Sequence, residues 1–145
     1  MRVLVQRVDS ASVAVGGEIV GRIGRGLLLF VGFGKGDTEA RLPATTAKIA
    51  AMRVFSDAEG KLNLSLADIG GEALIVSQFT LYANCTRGRR PDFTPAAEPA
   101  VAQALYDQFV QGFRETGIPV QTGIFAADMS VGLVNDGPVT FILEF

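Results

Sequence analysis

Ala73-Leu74-Ile75-Val76-Ser77-Gln78-Phe79-Thr80-Leu81-Tyr82-Ala83 reads as an apolar, strand-like run with hydroxyls and an amide set into it. A buried polar group left without a partner costs roughly 1–3 kcal/mol. Ser77, Gln78 and Thr80 therefore either pair within a polar core network or face a ligand at a strand end. Upstream, Leu27-Leu28-Leu29-Phe30-Val31 is a second continuous apolar run, as expected of a strand covered on both faces. Val3 to Val8 and Ser12 to Val15 alternate as two strands, and Gly16-Gly17 marks a hairpin turn into Glu18-Ile19-Val20. Gly24-Arg25-Gly26 makes a further turn, and Asp57-Ala58-Glu59-Gly60-Lys61 another.

Two helices complete the pattern. Asp37 or Thr38 can cap one that runs to about Arg53, with Leu42, Ile49 and Met52 on its apolar side and Pro43 confined to its first turn. The other starts at Pro99, places Val101, Leu105, Phe109 and Phe113 on one stripe, and stops at Gly117. Three short strands are expected after Pro119: Val120 to Phe125, Ser130 to Val134, and Val139 to Phe145. This order describes one mixed α/β domain over residues 1–145, a three-layer α/β/β sandwich of mixed sheets with two main helices.

Composition narrows the chemistry. The chain has 145 residues, 48% of them hydrophobic and 19% charged, which suits a globular domain with a substantial core. No apolar run approaches the ~18 residues needed to span a bilayer. The start, Met1-Arg2-Val3-Leu4-Val5, lacks a signal-peptide layout, and the single cysteine, Cys85, fits a reducing cytoplasm. Histidine is absent, so no Ser-His or Cys-His pair and no His-ligated metal can form. An enzyme of this composition works with hydroxyls, amides, carboxylates, backbone dipoles or groups of its substrate. The net charge of −2 disfavours extended non-specific nucleic-acid binding. Locally, Arg87, Arg89 and Arg90 form a basic cluster that reads equally as a phosphate-recognition loop or a solvated one.

Other motifs are weaker. Gly32-Phe33-Gly34-Lys35-Gly36-Asp37 lies where phosphate loops occur but matches neither glycine-rich consensus, so a plain strand-to-helix connection is the better reading. Asp57, Glu59 and Asn63 are too few for a calcium loop. Cys85 lacks a base or second thiol, which leaves an ordinary loop cysteine. Asn135-Asp136-Gly137-Pro138-Val139-Thr140 stands between two apolar stretches, and its proline belongs at a strand start or a sheet edge.

Ser77-Gln78-Phe79-Thr80-Leu81 and Asn135-Asp136-Gly137-Pro138-Val139-Thr140 together resemble the two signature motifs of the D-aminoacyl-tRNA deacylases. The resemblance also covers Val5-Gln6-Arg7-Val8, Phe55 to Lys61, Ala104-Leu105-Tyr106 and Thr122 to Met129. It implies a cytoplasmic homodimer that hydrolyses the ester between a D-amino acid and the 3′-terminal adenosine of tRNA, without metal or cofactor and with no membrane attachment. It further implies a site at the dimer interface, where Gly137-Pro138, cis in that family, enters the partner's pocket beside Ser77 to Thr80. Arg7 is then expected to help hold that dipeptide. Apolar contacts alone discriminate by only ~1–3 kcal/mol. A rigid backbone wall would instead reject L-aminoacyl groups by clash, and glycyl-tRNA would pass as a secondary substrate.

With no base beside Thr80, the terminal ribose 2′-hydroxyl becomes the candidate to orient or activate water. Backbone N–H groups around Phe79 and Thr80 would hold the oxyanion. Phe79 and Phe125 are candidates to flank the adenine and Met129 to line the pocket, with core packing the rival role for Phe125 and Met129. Three alternatives stay open: a sister-type L-alanyl-tRNA deacylase with a trans Gly-Pro bond, a non-catalytic tRNA-binding module, and a small-ester hydrolase using Ser77 or Thr80.

Overall fold

The alternation begun at Val3 runs through a single strand, β1 (Arg2–Val15), in the computed structural model, which describes residues 1–86 and 88–145. The two strands expected at its start and end are thus one, joined through Asp9-Ser10. Gly16 and Gly17 take positive φ and turn the chain into β2 (Glu18–Ile23), and β3 (Gly26–Gly32) follows. β2 pairs antiparallel with the far half of β1 and β3 with the near half.

The first helix differs from its expected form. A 3₁₀ turn at Glu39–Arg41 leads into α1 (Leu42–Ala50), which ends three residues short of Arg53. Asp37 does not cap it, because its carboxylate accepts from the Gly34 amide at 2.7 Å and from the Met1 amino group at 2.7 Å. Thr38 makes no capping bond either. Leu42 and Ile49 are buried as expected, and Met52 packs from just beyond the helix.

Two short antiparallel strands, β4 (Phe55–Ser56) and β5 (Leu62–Leu64), flank the Asp57 turn. There Asp57 Oδ1 accepts from the Glu59 and Lys61 amides, so the acidic pair is a turn device. Next comes β6 (Glu72–Ser77), parallel to β3, then α2 (Pro99–Arg114). α2 buries Leu105, Phe109 and Phe113, but Val101 is half exposed and Ala102 and Tyr106 face inward. A spacing of four residues drifts about 40° per step around a helix, enough to carry the first member of the stripe off the contact face. Gly117 takes positive φ after the helix end, as its position suggested.

β7 (Val120–Thr122) lies parallel to β6 and is shorter than the strand expected to reach Phe125. β8 (Met129–Glu144) replaces the two final strands. It runs antiparallel along β1 on the edge away from β2 and β3, and its other edge pairs with nothing among the described residues. The sheet is six-stranded and mixed, and it curls into a near-barrel that brings β2 against β6 and β7. Gly21 permits that closure, since a Cβ there would lie 2.7 Å from the Thr122 carbonyl oxygen.

Two cores result. Val3, Val5, Leu27, Leu29, Ala73 and Ile75 pack under the helices with Ile49, Phe109 and Phe113. Val8, Ala11, Val13, Ile23, Leu28, Leu74 and Val76 fill the curl. β3 and β6 are therefore covered on both faces, as their unbroken apolar runs required. In β1, odd-numbered residues face the helices before Asp9-Ser10 and the curl after it. The register slip there supplies the odd step that reverses the faces.

β3 meets β6 first at Gly26 and Glu72. A Cβ on Gly26 would run into the Glu72 backbone, whose carbonyl carbon and amide nitrogen would lie 2.8 and 2.9 Å away. Gly26→Ala is expected to lower stability by about 3 kcal/mol in urea unfolding. A loss below about 1 kcal/mol would mean that the ladder slides to accept the methyl.

Candidate active site

The β3–β6 ladder ends at Val31 and Ser77, and the Gln78 amide then donates to the Val31 carbonyl at 2.8 Å. Gly32 allows the chain to turn there, since a Cβ on it would sit 2.6 Å from the Gln78 carbonyl oxygen. Phe79–Tyr82 forms a single 3₁₀ turn rather than the strand expected to continue to Tyr82. Ser77 and Gln78 are consequently half-buried, whereas Phe79 and Thr80 are exposed. The polar cluster is a strand end facing outward, not a network inside a core. The Gln78 side-chain amide donates to the Thr80 hydroxyl. Among the described residues no hydrogen bond uses the Phe79 or Thr80 amide, as expected for the first donors of a helical turn.

A cavity of about 460 Å³ opens at this point. Its floor is Val31 to Phe33 and Val76 to Phe79, at the carboxyl ends of two parallel strands, where open α/β sheets take ligands. The start of α2, with Pro99 and Ala102, and Phe125 to Met129 with Val131 complete the lining. Phe125 and Met129 each line the cavity and also pack on a core. Phe125 leans on Tyr106 with ring centroids 6.0 Å apart, and Phe79 meets Phe93 edge-on at 5.1 Å. Met129 fits because Gly123 has no side chain: a Cβ there would lie 2.5 Å from the Met129 sulfur.

The structure gathers Ser77, Gln78, Phe79, Phe125 and Met129 around one space, with Thr80 beside it. Arg7, Gly137 and Pro138 are not among its walls. Between the Gln6–Thr140 and Val8–Asn135 pairs β1 advances two residues and β8 five, so Asp136 to Val139 forms a bulge on the sheet edge. The edge position expected for the proline holds, but the segment is a bulge within one strand rather than a turn between two. Its Gly137-Pro138 peptide is cis, and both residues are exposed. Arg7 is buried and grips the bulge: its Nε lies 2.8 Å from Asp136 Oδ2 and 3.1 Å from the Asp136 carbonyl oxygen, and its Nη1 donates to the Val54 carbonyl at 2.6 Å. Asn135 Nδ2 returns a bond to the Arg7 carbonyl at 2.8 Å.

Several wall residues carry no sequence signal. Gly32 and the α2 start become visible as site components only once the sheet is assembled. Ala126 holds φ +59°, a left-handed conformation that nothing in Phe125-Ala126-Ala127 announces, and it presents Ala127 and Asp128 to the cavity. Among the described residues Asp128 is the one ionisable residue on the walls. No group of three or more Asp, Glu, Cys or His residues suited to a metal occurs among the described residues. Gly32 to Asp37 is a connection, with the Lys35 amide bonded to the Pro95 carbonyl at 3.0 Å. Cys85, Arg89 and Arg90 lie exposed on the following loop, and Arg87 lies outside the described residues.

The family model for D-Tyr-tRNA(Tyr) deacylase matches residues 4–144. A D-aminoacyl-tRNA deacylase of Pelobacter propionicus is 56% identical over 144 residues, covering 99% of each chain. One of Thermotoga petrophila is 55% identical over 99% of this chain and 97% of its own. A solved structure titled c-Myc DNA Unwinding Element Binding Protein superposes with a TM-score of 0.93 at 42% identity, covering 100% of this chain and 99% of that one. A probable eukaryotic D-amino acid tRNA deacylase shares the fold, with a TM-score of 0.82 at 22% identity over 98% of this chain and 97% of that one. No helix among the described residues is long and apolar enough to cross a membrane.

Both tyrosines of the chain sit near the site, and both are held neutral. Burial pushes Tyr82 up to about 12, aided by the Asp37 carboxylate that accepts from its hydroxyl at 3.3 Å. Burial also raises Tyr106, whose hydroxyl donates to the Ile75 carbonyl at 2.8 Å. An alkaline absorbance titration of the folded protein is expected to show no phenolate step at the ordinary value of 10.0, whereas the urea-unfolded chain shows two tyrosines ionising there. Stability drawn from these phenols is full below pH 10.0 and falls as pH rises through the folded values. A phenolate step near 10 in the folded state would place one of them in water.

Proposed function

The chain belongs to the D-Tyr-tRNA(Tyr) deacylase family, and from that premise we propose that its cavity hydrolyses the ester joining a D-amino acid to the 3′-terminal adenosine of tRNA. The observation that carries this reading is the cavity at the end of β6, where Ser77, Gln78 and Phe79 meet Phe125 and Met129 beside two amides that have no hydrogen-bond partner among the described residues. The ester carbonyl sits against the Phe79 and Thr80 amides. Water adds to the carbonyl carbon, the carbonyl oxygen becomes the oxyanion, and these donors stabilise it. Collapse breaks the bond to the 3′ oxygen, which leaves protonated. The 2′-hydroxyl of the same ribose orients the water and relays its proton, the work a histidine would otherwise do. Phe79 and Phe125 present aromatic faces to the terminal adenine. Thr80 fixes the Gln78 side chain and is not the nucleophile.

Selection against L-aminoacyl groups falls to Gly137-Pro138 of the partner subunit in a homodimer. In support, the dipeptide is exposed on a sheet edge and is not a wall of its own chain's cavity, so it is available to another copy. The unpaired edge of β8 and its exposed Leu133, Val134 and Ile142 support the same pairing. The buried Arg7–Asp136 contact holds the bulge as a rigid wall, and glycine, which has no side chain to clash, passes as a secondary substrate. The translation substrate and the single exposed thiol suit the cytoplasm. Exposed Arg89 and Arg90 offer charge to the acceptor stem.

Hydrolysis assays with matched D- and L-aminoacyl-tRNA test the assignment: the D form is expected to be cleaved in strong preference, and equal rates or a preference for the L form would overturn it. The mechanism has its own test. Thr80→Ala is expected to keep most of its activity, while tRNA ending in 2′-deoxyadenosine loses about 100-fold or more in rate. The opposite pattern would return Thr80 to the role of nucleophile.

A further inference from the structure

The 3₁₀ turn at Phe79–Tyr82 is short, solvent-facing and closed by few bonds of its own, among them Leu81 N–H to the Gln78 carbonyl at 3.3 Å and Ala83 N–H to the Thr80 carbonyl at 3.0 Å. Such a turn has little rigidity by itself. Its upstream end is secured by the Gln78–Val31 bond. The downstream end is secured by Tyr82, which is not a wall of the cavity. The Tyr82 ring packs closely against Gly34: a Cβ there would come within 2.7 Å of its Cζ and 3.0 Å of its hydroxyl oxygen. That hydroxyl donates to Asp37 Oδ2, which the Gly34 amide also holds at 2.7 Å. Above the ring, the Arg2 guanidinium carbon lies 4.7 Å from the centroid. Arg2 also donates to the Leu81 carbonyl at 2.9 Å and is anchored by Glu144 at 2.8 Å.

We propose that Tyr82 is a positioning residue for the hydrolysis, its ring seated on Gly34 and covered by Arg2 so that the Phe79 and Thr80 amides keep their aim. This inference rests on the reaction assigned to that turn. It also gives the Gly32-Phe33-Gly34 run a purpose that phosphate-loop spacing did not: its two side-chain-free positions form the bed on which the Gln78–Tyr82 segment lies. Donors aimed at an oxyanion act mainly in the transition state, and a displacement near 1 Å can cost ~100-fold in rate. Loss of the seat therefore falls on kcat rather than KM.

Tyr82→Leu and Tyr82→Phe separate this role from ordinary packing. Phenylalanine keeps the ring on Gly34 and beneath Arg2, so kcat and KM are expected close to those of the parent chain. Leucine is expected to lower kcat about 10- to 100-fold with KM within about twofold. In ¹H–¹⁵N spectra, the Phe79 and Thr80 amide signals are expected to shift in Tyr82→Leu and stay in place in Tyr82→Phe. The proposal is overturned by a folded Tyr82→Leu that keeps the parent kcat, by a loss confined to KM, or by unmoved amide signals. The spectra need no turnover, so they judge the positioning role even if the substrate assignment fails. Should Tyr82→Leu not fold, Gly34→Ala, which lifts the ring with one methyl, is expected to give the same kcat loss and amide shifts, and a parent-like result overturns the proposal.

Discussion

The parallel ladder between β3 and β6 governs where the chemistry can stand. Both strands are buried on two faces, so their backbone groups have no access to water and must pair with each other until the strands end. The last pairing is Val31 with Ser77, followed by the Gln78 amide on the Val31 carbonyl. Immediately afterwards Gly32 removes the side chain that would hold the two segments apart, and the chain turns under its own carbonyl. The same step that ends the sheet thus frees the Phe79 and Thr80 amides and opens the space in front of them. Burial of the strands and exposure of the site are two results of one hydrogen-bonding requirement.

Much of this was legible in the order of the residues, and the reasons for the rest are specific. Leu27 to Val31 announced a strand covered twice over, and it is one. Val3, Val5, Ala11 and Val13 keep odd-numbered positions along what proves to be one strand rather than two, yet they serve two cores. Alternation reports a residue's side relative to its near neighbours only, and the slip at Asp9-Ser10 exchanges the sides. Asp37 has the chemistry of a helix cap, but the Met1 amino group and the Tyr82 hydroxyl, both distant in sequence, share its carboxylate with the nearby Gly34 amide. Val101 fell off the α2 stripe because four-residue spacing is only approximately one turn.

The site divides in a similar way. Ser77 to Thr80 and Asn135 to Thr140 stood out because polar or rigid residues interrupt apolar runs, and interruptions are what a sequence displays well. The choice between a buried network and a strand end depended on Gly32, some 45 residues earlier in the chain, and only the paired sheet brings it to bear. Ala126 shows nothing in sequence because alanine is not a residue that turns recruit. Tyr82 read as the tail of an apolar strand. Its role comes from contacts with Arg2, Gly34 and Asp37, none of them sequence neighbours.

The bulge at Asp136 to Val139 is bracketed by ladder pairs that hold without it. Gln6–Thr140 through Arg2–Glu144 secure one side, and Val8–Asn135 through Val15–Met129 the other. Each flank takes its facing from β1, not from the length of the segment between them. The exposed dipeptide is therefore an insulated cassette. It can exchange residues while Phe141 and Leu143 stay seated on their core. Changes within the bulge can then leave the pairing of its flanks intact in this architecture, with Arg7 the main point where they are felt.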